Sequence, residues 1–315
     1  MKKLFLLSLF LLLSFANTTF SQSPDVAINN EEDEDAVIKI TTVNIALPVT
    51  VFDDKGKFVP DLKRDNFKVL ENNDPQQIIE FHSQTNLPLN VAVLMDTSTS
   101  IRNKLEFERI AIKQFLASVL KTEKDRIAFV TFDTKVEVRN DFTNNLSEIS
   151  QTLDQIKVAN GQTSLYDAVY KVCRENMSRT NSRRRVLVII TDGADTNSKQ
   201  TLAQTISIAQ RTQTTIYALS TKGGSVFRVE GTPYYNLDDI ELKKLCRDTG
   251  GEVFFPDNVE ALNKAFRQVT DFLRNQYVII YEPNNNNDGK FRKIEVKIIG
   301  KKNLSTITRQ GYLAK

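Results

Sequence analysis

The chain has 315 residues, 40% of them hydrophobic and 26% charged, which is the balance of a soluble globular protein with room for about two domains. A formal net charge of +3 is too small to make nucleic acid or an anionic membrane the expected partner. The chain has one histidine, His82, so a catalytic triad centred on histidine is excluded unless that residue serves in it. Its position at the end of an apolar strand indicates a structural role instead.

The first 22 residues predict a secretory signal peptide. Two lysines precede an apolar run over residues 4–15, which is too short to span a bilayer comfortably. Residues 23–38 predict a flexible acidic leader, because residues 31–35 are all acidic and offer too little apolar surface to offset the entropy of ordering. We therefore expect an exported protein, periplasmic or secreted, without stable membrane insertion. Nothing in the composition favours a particular oligomeric state.

Two β-rich segments, residues 39–85 and 276–315, flank the middle of the chain. Apolar residues alternate strictly over residues 43–51, the pattern of a strand with one buried face. Three strands cannot close a core alone, so the two segments are predicted to pair into one β-sandwich. The remaining predicted strands span residues 67–71, 77–81, 276–281, 291–299 and 305–309, with residues 284–289 as a hairpin turn.

Between these segments, residues 86–275 alternate between strand and helix patterns, which predicts an α/β fold with a doubly wound, mostly parallel six-stranded sheet. Right-handed crossovers place the strand over residues 91–95 at the switch point of this sheet. The predicted strands span residues 91–95, 126–132, 135–140, 186–190, 215–219 and 252–255, the third of them an antiparallel edge strand. The predicted helices span residues 102–120, 146–156, 165–177, 203–210, 239–247 and 258–274.

A cluster of oxygen-bearing side chains follows the strand at the switch point. Asp96, Ser98 and Ser100 alternate along the chain, so an extended or turning backbone projects a carboxylate and two hydroxyls to one side. Oxygen ligands of this kind suit a hard cation such as Mg²⁺, Mn²⁺ or Ca²⁺, whereas zinc sites usually contain histidine or cysteine ligands.

The spacing D-x-S-x-S after an apolar strand resembles the metal-ion-dependent adhesion site (MIDAS) of von Willebrand factor type A (VWA) domains. That family completes its site with a threonine and an aspartate from later loops, which match Thr163 in GQTSLYDA and Asp192 in VLVIITDG. The resemblance covers about residues 89–273. It implies that Mg²⁺ or Mn²⁺ is bound by Asp96, Ser98, Ser100, Thr163 and Asp192, the hydroxyls directly and the aspartates directly or through water.

In the resembled family, neutral ligands leave the cation under-neutralised, and an open position accepts an Asp or Glu carboxylate of a protein partner. This implies a non-enzymatic protein-binding or adhesion module. The phrases TGGEVFF and QYVIIYEP, together with residues 49–71, also resemble an exported bacterial subfamily of VWA-related proteins with flanking β segments. In the VWA family the last helix can shift along the sheet when a partner carboxylate completes the metal site. Here the short joint after that helix predicts that such a shift would displace the β-sandwich or be blocked by it.

Three alternatives stay open at this point. Asp96 and the serines could merely cap the first helix, since Ser, Thr and Asp are strong caps. The chain could be a structural envelope protein with a vestigial site. It could also be a phosphatase-type hydrolase with Asp96 as nucleophile, although Ser98 stands where such an enzyme needs a second acid. A dinucleotide-binding site is disfavoured, because residues 97–100 contain no glycine.

Three smaller expectations concern the cysteines, a basic run and two further aspartates. Cys173 and Cys246 fall on helices separated by a third helix, too far apart for a disulfide, so both thiols should be free and buried. The basic run over residues 183–185 should be a solvated loop. Asp133 and Asp195 should lie near the metal site without binding the ion.

Overall fold

A computed structural model describes residues 44–83, 88–159, 161–180, 184–192, 195–221, 237–256, 258–283 and 288–314. The strands, in chain order, are β1 Ile45–Phe52, β2 Phe67–Glu71, β3 Asp74–Gln76, β4 Ile78–His82, β5 Leu89–Asp96, β6 Arg126–Phe132, β7 Val136–Thr143, β8 Arg184–Thr191, β9 Thr214–Ser220, β10 Val253–Phe254, β11 Tyr277–Tyr281, β12 Phe291–Ile298, β13 Ser305–Ile307 and β14 Gly311–Leu313. The α-helices are α1 Leu105–Val119, α2 Leu146–Gln155, α3 Leu165–Glu175, α4 Leu202–Arg211, α5 Leu237–Thr249 and α6 Val259–Arg274. The predicted signal peptide and acidic leader lie outside the described residues.

The six-stranded sheet has the order β10-β9-β8-β5-β6-β7, with every neighbouring pair parallel except β6 and β7. Every residue of β5 is buried, because alternate side chains pack into two layers. Val91, Val93 and Met95 face α1, α2 and α6, whereas Ala92 and Leu94 face α3, α4 and α5. The expected α/β layout is confirmed, with β5 at the point where the winding direction reverses.

Two further antiparallel sheets come from the two ends of the described chain. One has the order β13-β1-β11-β4 and the other β14-β12-β2-β3, so each combines N- and C-terminal strands. Their inner faces enclose one apolar core, which includes Leu47 and Ile279 from the first sheet and Val69 and Val296 from the second. The expected β-sandwich is therefore confirmed.

The chain leaves the sandwich after β4 to form the α/β part and returns to it in β11, the neighbouring strand. His82 at the end of β4 pairs with Val278 in β11, so the chain departs after β4 and returns beside it. Only Asn275 and Gln276 separate α6 from β11. Gln276 donates through Nε2 to the hydroxyl of Tyr217 in β9 at 3.0 Å, which ties this short joint to the six-stranded sheet.

The expected hairpin between β11 and β12 is wrong. These strands lie in different sheets, because β11 is apolar on both faces and sits between β1 and β4, whereas β12 alternates between buried and exposed side chains. β1 also has two buried faces rather than one. Ala46 on its outer face is covered by the α/β part, and its backbone N–H donates to Gln213 Oε1 at 3.2 Å.

The basic run after α3 is not a solvated loop. Arg184 and Arg185 belong to β8, and Arg184 is fully buried. Its guanidinium donates to the backbone carbonyl of Leu273, at the C-terminal end of α6, where the helix dipole favours a positive charge. Arg183 lies outside the described residues. His82 is half-buried, with its imidazole 3.2 Å from the carboxylate of Glu80.

Cys173 in α3 and Cys246 in α5 are both buried and free. Helix α4 packs against both of their helices on the same side of the sheet, as the sequence predicted. No helix among the described residues combines the length and the apolar character needed to cross a membrane.

Candidate metal centre

The candidate site lies at the carboxyl ends of β5 and β8, two neighbouring parallel strands. Asp96 is the last residue of β5 and is fully buried, and Asp192 directly follows β8. Because parallel strands end at the same edge of a sheet, the strand pairing alone brings these two carboxylates together. Their like charges repel, so this arrangement needs compensating positive charge.

The two carboxylates are joined through Ser98 and Ser100. The hydroxyl of Ser100 donates to Asp192 Oδ1 at 2.6 Å, and the hydroxyls of Ser98 and Ser100 lie 3.0 Å apart. Asp96 Oδ1 accepts from the backbone N–H of Ser98 at 2.8 Å, and Asp96 Oδ2 accepts from the hydroxyl of Thr191 at 2.7 Å. Four of the five predicted ligands therefore form one hydrogen-bonded chain.

Thr163 reaches the same edge of the sheet through its backbone. Its N–H donates to the hydroxyl of Thr196 at 3.0 Å, and its carbonyl accepts from the N–H groups of Thr196 and Asn197. The following residue, Ser164, donates its N–H to the carbonyl of Asp133 at 2.9 Å. The loop that carries Thr163 is thus fastened to the loops that follow β8 and β6, and Thr163 itself is buried.

Asp133 and Asp195 brace these loops. Asp133 accepts from the Thr97 hydroxyl at 3.2 Å and from the Lys135 N–H at 2.9 Å. Asp195 accepts from the N–H of Tyr166, in the first turn of α3, at 3.1 Å. Both carboxylates accept hydrogen bonds from backbone or hydroxyl donors of the loops beside the site, and that neither binds the ion stays a prediction.

Helix capping does not account for the serine cluster. Ser98 precedes a short 3₁₀ turn, Thr99–Asn103, but its side chain makes no capping hydrogen bond there. Its hydroxyl instead contacts that of Ser100. The cluster is therefore organised toward the two carboxylates rather than toward the helix.

The residues present fit a hard divalent cation. The available ligands are carboxylate and hydroxyl oxygens, and among the described residues no three His, Cys, Asp or Glu side chains converge as a metal-binding group, so a cation here depends on the hydroxyls. Burial raises the pKa of Asp96, while hydrogen bonds from Ser98 and Thr191 oppose that effect and the charge of Asp192 adds to it. A cation at this point would stabilise the ionised carboxylate.

Sequence reasoning missed two charged residues beside the site. Lys104 Nζ lies 3.1 Å from Asp192 Oδ2, and Glu108 is fully buried one helical turn further along α1. The signal was present, because Glu108 interrupts an apolar stripe that Leu105 and Ile112 define on the same helical face.

The model of the von Willebrand factor type A domain family matches residues 90–268, more than half of the chain. The chain belongs to this family. A curated relative from Borreliella burgdorferi, an uncharacterized protein, is 23% identical over 202 residues, which is 60% of this chain and 56% of the relative. The matched region thus spans little more than half of that relative's length.

Two solved structures share the fold. A von Willebrand factor type A protein from Catenulispora acidiphila is 12% identical, with 86% of this chain and 75% of that chain covered and a TM-score of 0.50. Proximal thread matrix protein 1 from the mussel byssus, with a zinc-occupied MIDAS motif, is 18% identical, with 63% of this chain and 48% of that chain covered and a TM-score of 0.51. At these identities the likeness shows the fold alone.

Proposed function

We propose that this chain is an exported, non-enzymatic protein-binding module that holds Mg²⁺ or Mn²⁺ at Asp96, Ser98, Ser100, Thr163 and Asp192. The observation that carries the proposal is the hydrogen-bonded chain that joins two carboxylates from neighbouring strands through the backbone N–H of Ser98 and the hydroxyls of Ser98 and Ser100. Membership of a family of interaction modules supports it further. In this proposal, residues 86–275 form the VWA domain, residues 39–85 and 276–315 form the sandwich, and residues 1–38 carry the export signal and leader.

The site is suited to binding a partner from one side. Asp96 and Ser98 are buried, whereas Ser100 is exposed, so the site is open to solvent on the side of Ser100. A bound cation with mostly neutral ligands would supply a positive charge that accepts a carboxylate oxygen from an Asp or Glu of a partner. The chain's own residues would hold the ion and leave that position open.

A hydrolase is less well supported by the same geometry. Both oxygens of Asp96 accept hydrogen bonds, from the Ser98 N–H and the Thr191 hydroxyl, which lowers the nucleophilicity of the carboxylate. The residue two positions on is Ser98, which cannot protonate a leaving group as an acid would.

The test is capture of partners from an envelope extract on the immobilised protein. We expect proteins to be retained in Mg²⁺, released by EDTA, and lost with Asp96→Ala. Asp154→Asn, which changes an exposed aspartate in α2, is the matched control and should retain them. Amidating the carboxylates of the extract proteins should abolish capture. Retention that persists in EDTA, or that survives amidation, would contradict the proposal.

A further inference from the structure

A lysine already neutralises part of the metal centre. Lys104 stands at the start of α1 with about a quarter of its side chain exposed, and its ammonium group donates to Asp192 Oδ2 at 3.1 Å. The other oxygen of the same carboxylate accepts from Ser100. Both oxygens of Asp192 are therefore engaged, and a divalent cation beside Asp192 would meet a positive charge within a few ångströms.

A buried acid lies four residues further along the same helix. Glu108 Oε1 accepts from the hydroxyl of Thr221, which follows β9, at 2.6 Å. Glu108 Oε2 is buried and has no hydrogen-bond partner among the described residues. Residues four apart on a helix share a face, and a lysine has a flexible four-carbon stem, so Lys104 can reach this free oxygen.

The electrostatic surroundings of Glu108 favour its neutral form. Burial raises the pKa of Glu108 to about 8; the hydrogen bond from Thr221 opposes the shift, the negative charges of Asp192 and Asp96 add to it, and the positive charge of Lys104 lowers it. While Lys104 is held by Asp192, Glu108 therefore keeps its proton at neutral pH.

We propose that Lys104 is an exchangeable counter-ion, paired with Asp192 in the metal-free protein and with Glu108 when a divalent cation occupies the site. This inference rests on the proposed metal-binding function. In the exchange, the O–H bond of Glu108 breaks, its proton passes to the solvent, and the ionised oxygen accepts a hydrogen bond from the Lys104 ammonium group. The cation replaces the ammonium group beside Asp192, so no charge is left unpaired in the buried site.

The exchange couples two residues that do not bind the ion. Glu108→Gln removes the second place for the ammonium group, so Lys104 stays beside Asp192 and competes with the cation. Lys104→Met removes the competitor, so the identity of residue 108 no longer matters. We expect Glu108→Gln to weaken Mn²⁺ binding about tenfold with Lys104 present, a factor usual for coupled sites, and to have no effect in the Lys104→Met background.

The experiment is a calorimetric titration of Mn²⁺ at pH 7 into the full chain, repeated in buffers of different ionisation enthalpy to count protons. The wild-type protein should release close to one proton per ion, and Glu108→Gln should release none. Glu106→Gln, an exposed glutamate on the same helix, is the matched control and should behave as the wild type. Infrared difference spectra of the wild-type protein should show a protonated carboxyl band that disappears when Mn²⁺ binds, a result that requires no variant to fold.

Two outcomes overturn the inference alone: Mn²⁺ binding that depends on Asp96 but releases no proton, or equal effects of Glu108→Gln with and without Lys104. An absence of Mn²⁺ binding to the wild-type protein would overturn the proposed function and the counter-ion exchange with it. Binding unaffected by Asp96→Ala would do the same.

Discussion

Replacing Arg274 tests how firmly the last helix is held. Its guanidinium donates to Asp125 Oδ2 at 2.8 Å and to the backbone carbonyl of Val119, at the C-terminal end of α1. The side chain of Asp125 is almost wholly buried, and it also accepts from the backbone N–H groups of Leu89, Lys121 and Thr122. Arg274→Met would leave a buried carboxylate without its counter-ion.

The magnitude follows from the contacts that remain. Removing one partner of a buried ion pair costs about 3–5 kcal/mol, and a hydrogen bond to a charged group contributes about 1.5–3 kcal/mol. Three backbone N–H groups still donate to Asp125 in the variant, and Arg274 is partly exposed in the wild type. We therefore expect the free energy of unfolding to fall by about 2–3 kcal/mol, near the lower end of these ranges. In a chain of this size the melting temperature should fall by about 4–12 °C.

The pH dependence separates the ion pair from the lost packing. Burial raises the pKa of Asp125, but the hydrogen bonds from Arg274 and the three N–H groups outweigh it and hold the pKa below its usual value. The ion pair therefore stabilises the wild-type protein above about pH 4, the unfolded pKa, and this stabilisation is lost as the pH falls through the folded pKa. The difference in the free energy of unfolding between the wild type and Arg274→Met should therefore become smaller as the pH falls below about 4.

The assay is urea unfolding of the wild type, Arg274→Met and Arg267→Met between pH 3 and pH 7. Arg267 is exposed on the same helix and serves as the control, with a change expected within about 0.5 kcal/mol. If Arg274→Met lowered the free energy of unfolding by less than about 0.5 kcal/mol, or by the same amount at every pH, the stabilising role of the ion pair with Asp125 would be refuted.

Three further predictions concern the thiols, the joint and the metal centre. Burial raises the pKa of Cys173 to about 12 and that of Cys246 well above its usual value, so alkylation of the native protein at pH 8 should be slow. Alkylation of the denatured, unreduced protein should add two labels, and the absence of any label would contradict free thiols. Inserting a Gly-Ser linker of about six residues after Arg274 should uncouple α6 from β11 and change the affinity for a partner several-fold. If that affinity is unchanged, and hydrogen exchange in β11 is also unchanged when the partner is added, the α/β part is an independent module. Thr191→Val removes the hydroxyl that donates to Asp96 and should weaken Mn²⁺ binding about 10–100-fold; calorimetry showing the wild-type value would contradict that role.

The sequence predicted the elements whose pattern is long and regular. β6 and β2 match their predicted residues, and the amphipathic run of α6 and the apolar run of β5 were equally clear. The three-residue strands β3 and β14 were missed, because a strand of that length has no periodicity of its own. The partners of β11 could not be read from the sequence either, since an apolar strand fits the middle of either sheet.

Charged residues show the same limit at the level of side chains. Arg184 was predicted to lie in a loop because runs of charged residues usually lie on the solvated surface. Its guanidinium instead donates to the backbone carbonyl of Leu273 at the end of α6, and no local sequence pattern indicates that contact. Asp96 and Asp192 come together through strand order, which topology rules predict. The contact between Lys104 and Asp192 depends on where α1 begins relative to β8, which no local pattern specifies.

The central claim is that Asp96 and its neighbours hold a divalent cation. Calorimetric titration of Mn²⁺ into the wild type and into Asp96→Ala, with circular dichroism to show that both are folded, tests it most directly. We predict one bound ion per wild-type chain, displaced by Mg²⁺, and no binding to the variant. Equal Mn²⁺ affinity for the two proteins would contradict the assignment of the metal centre.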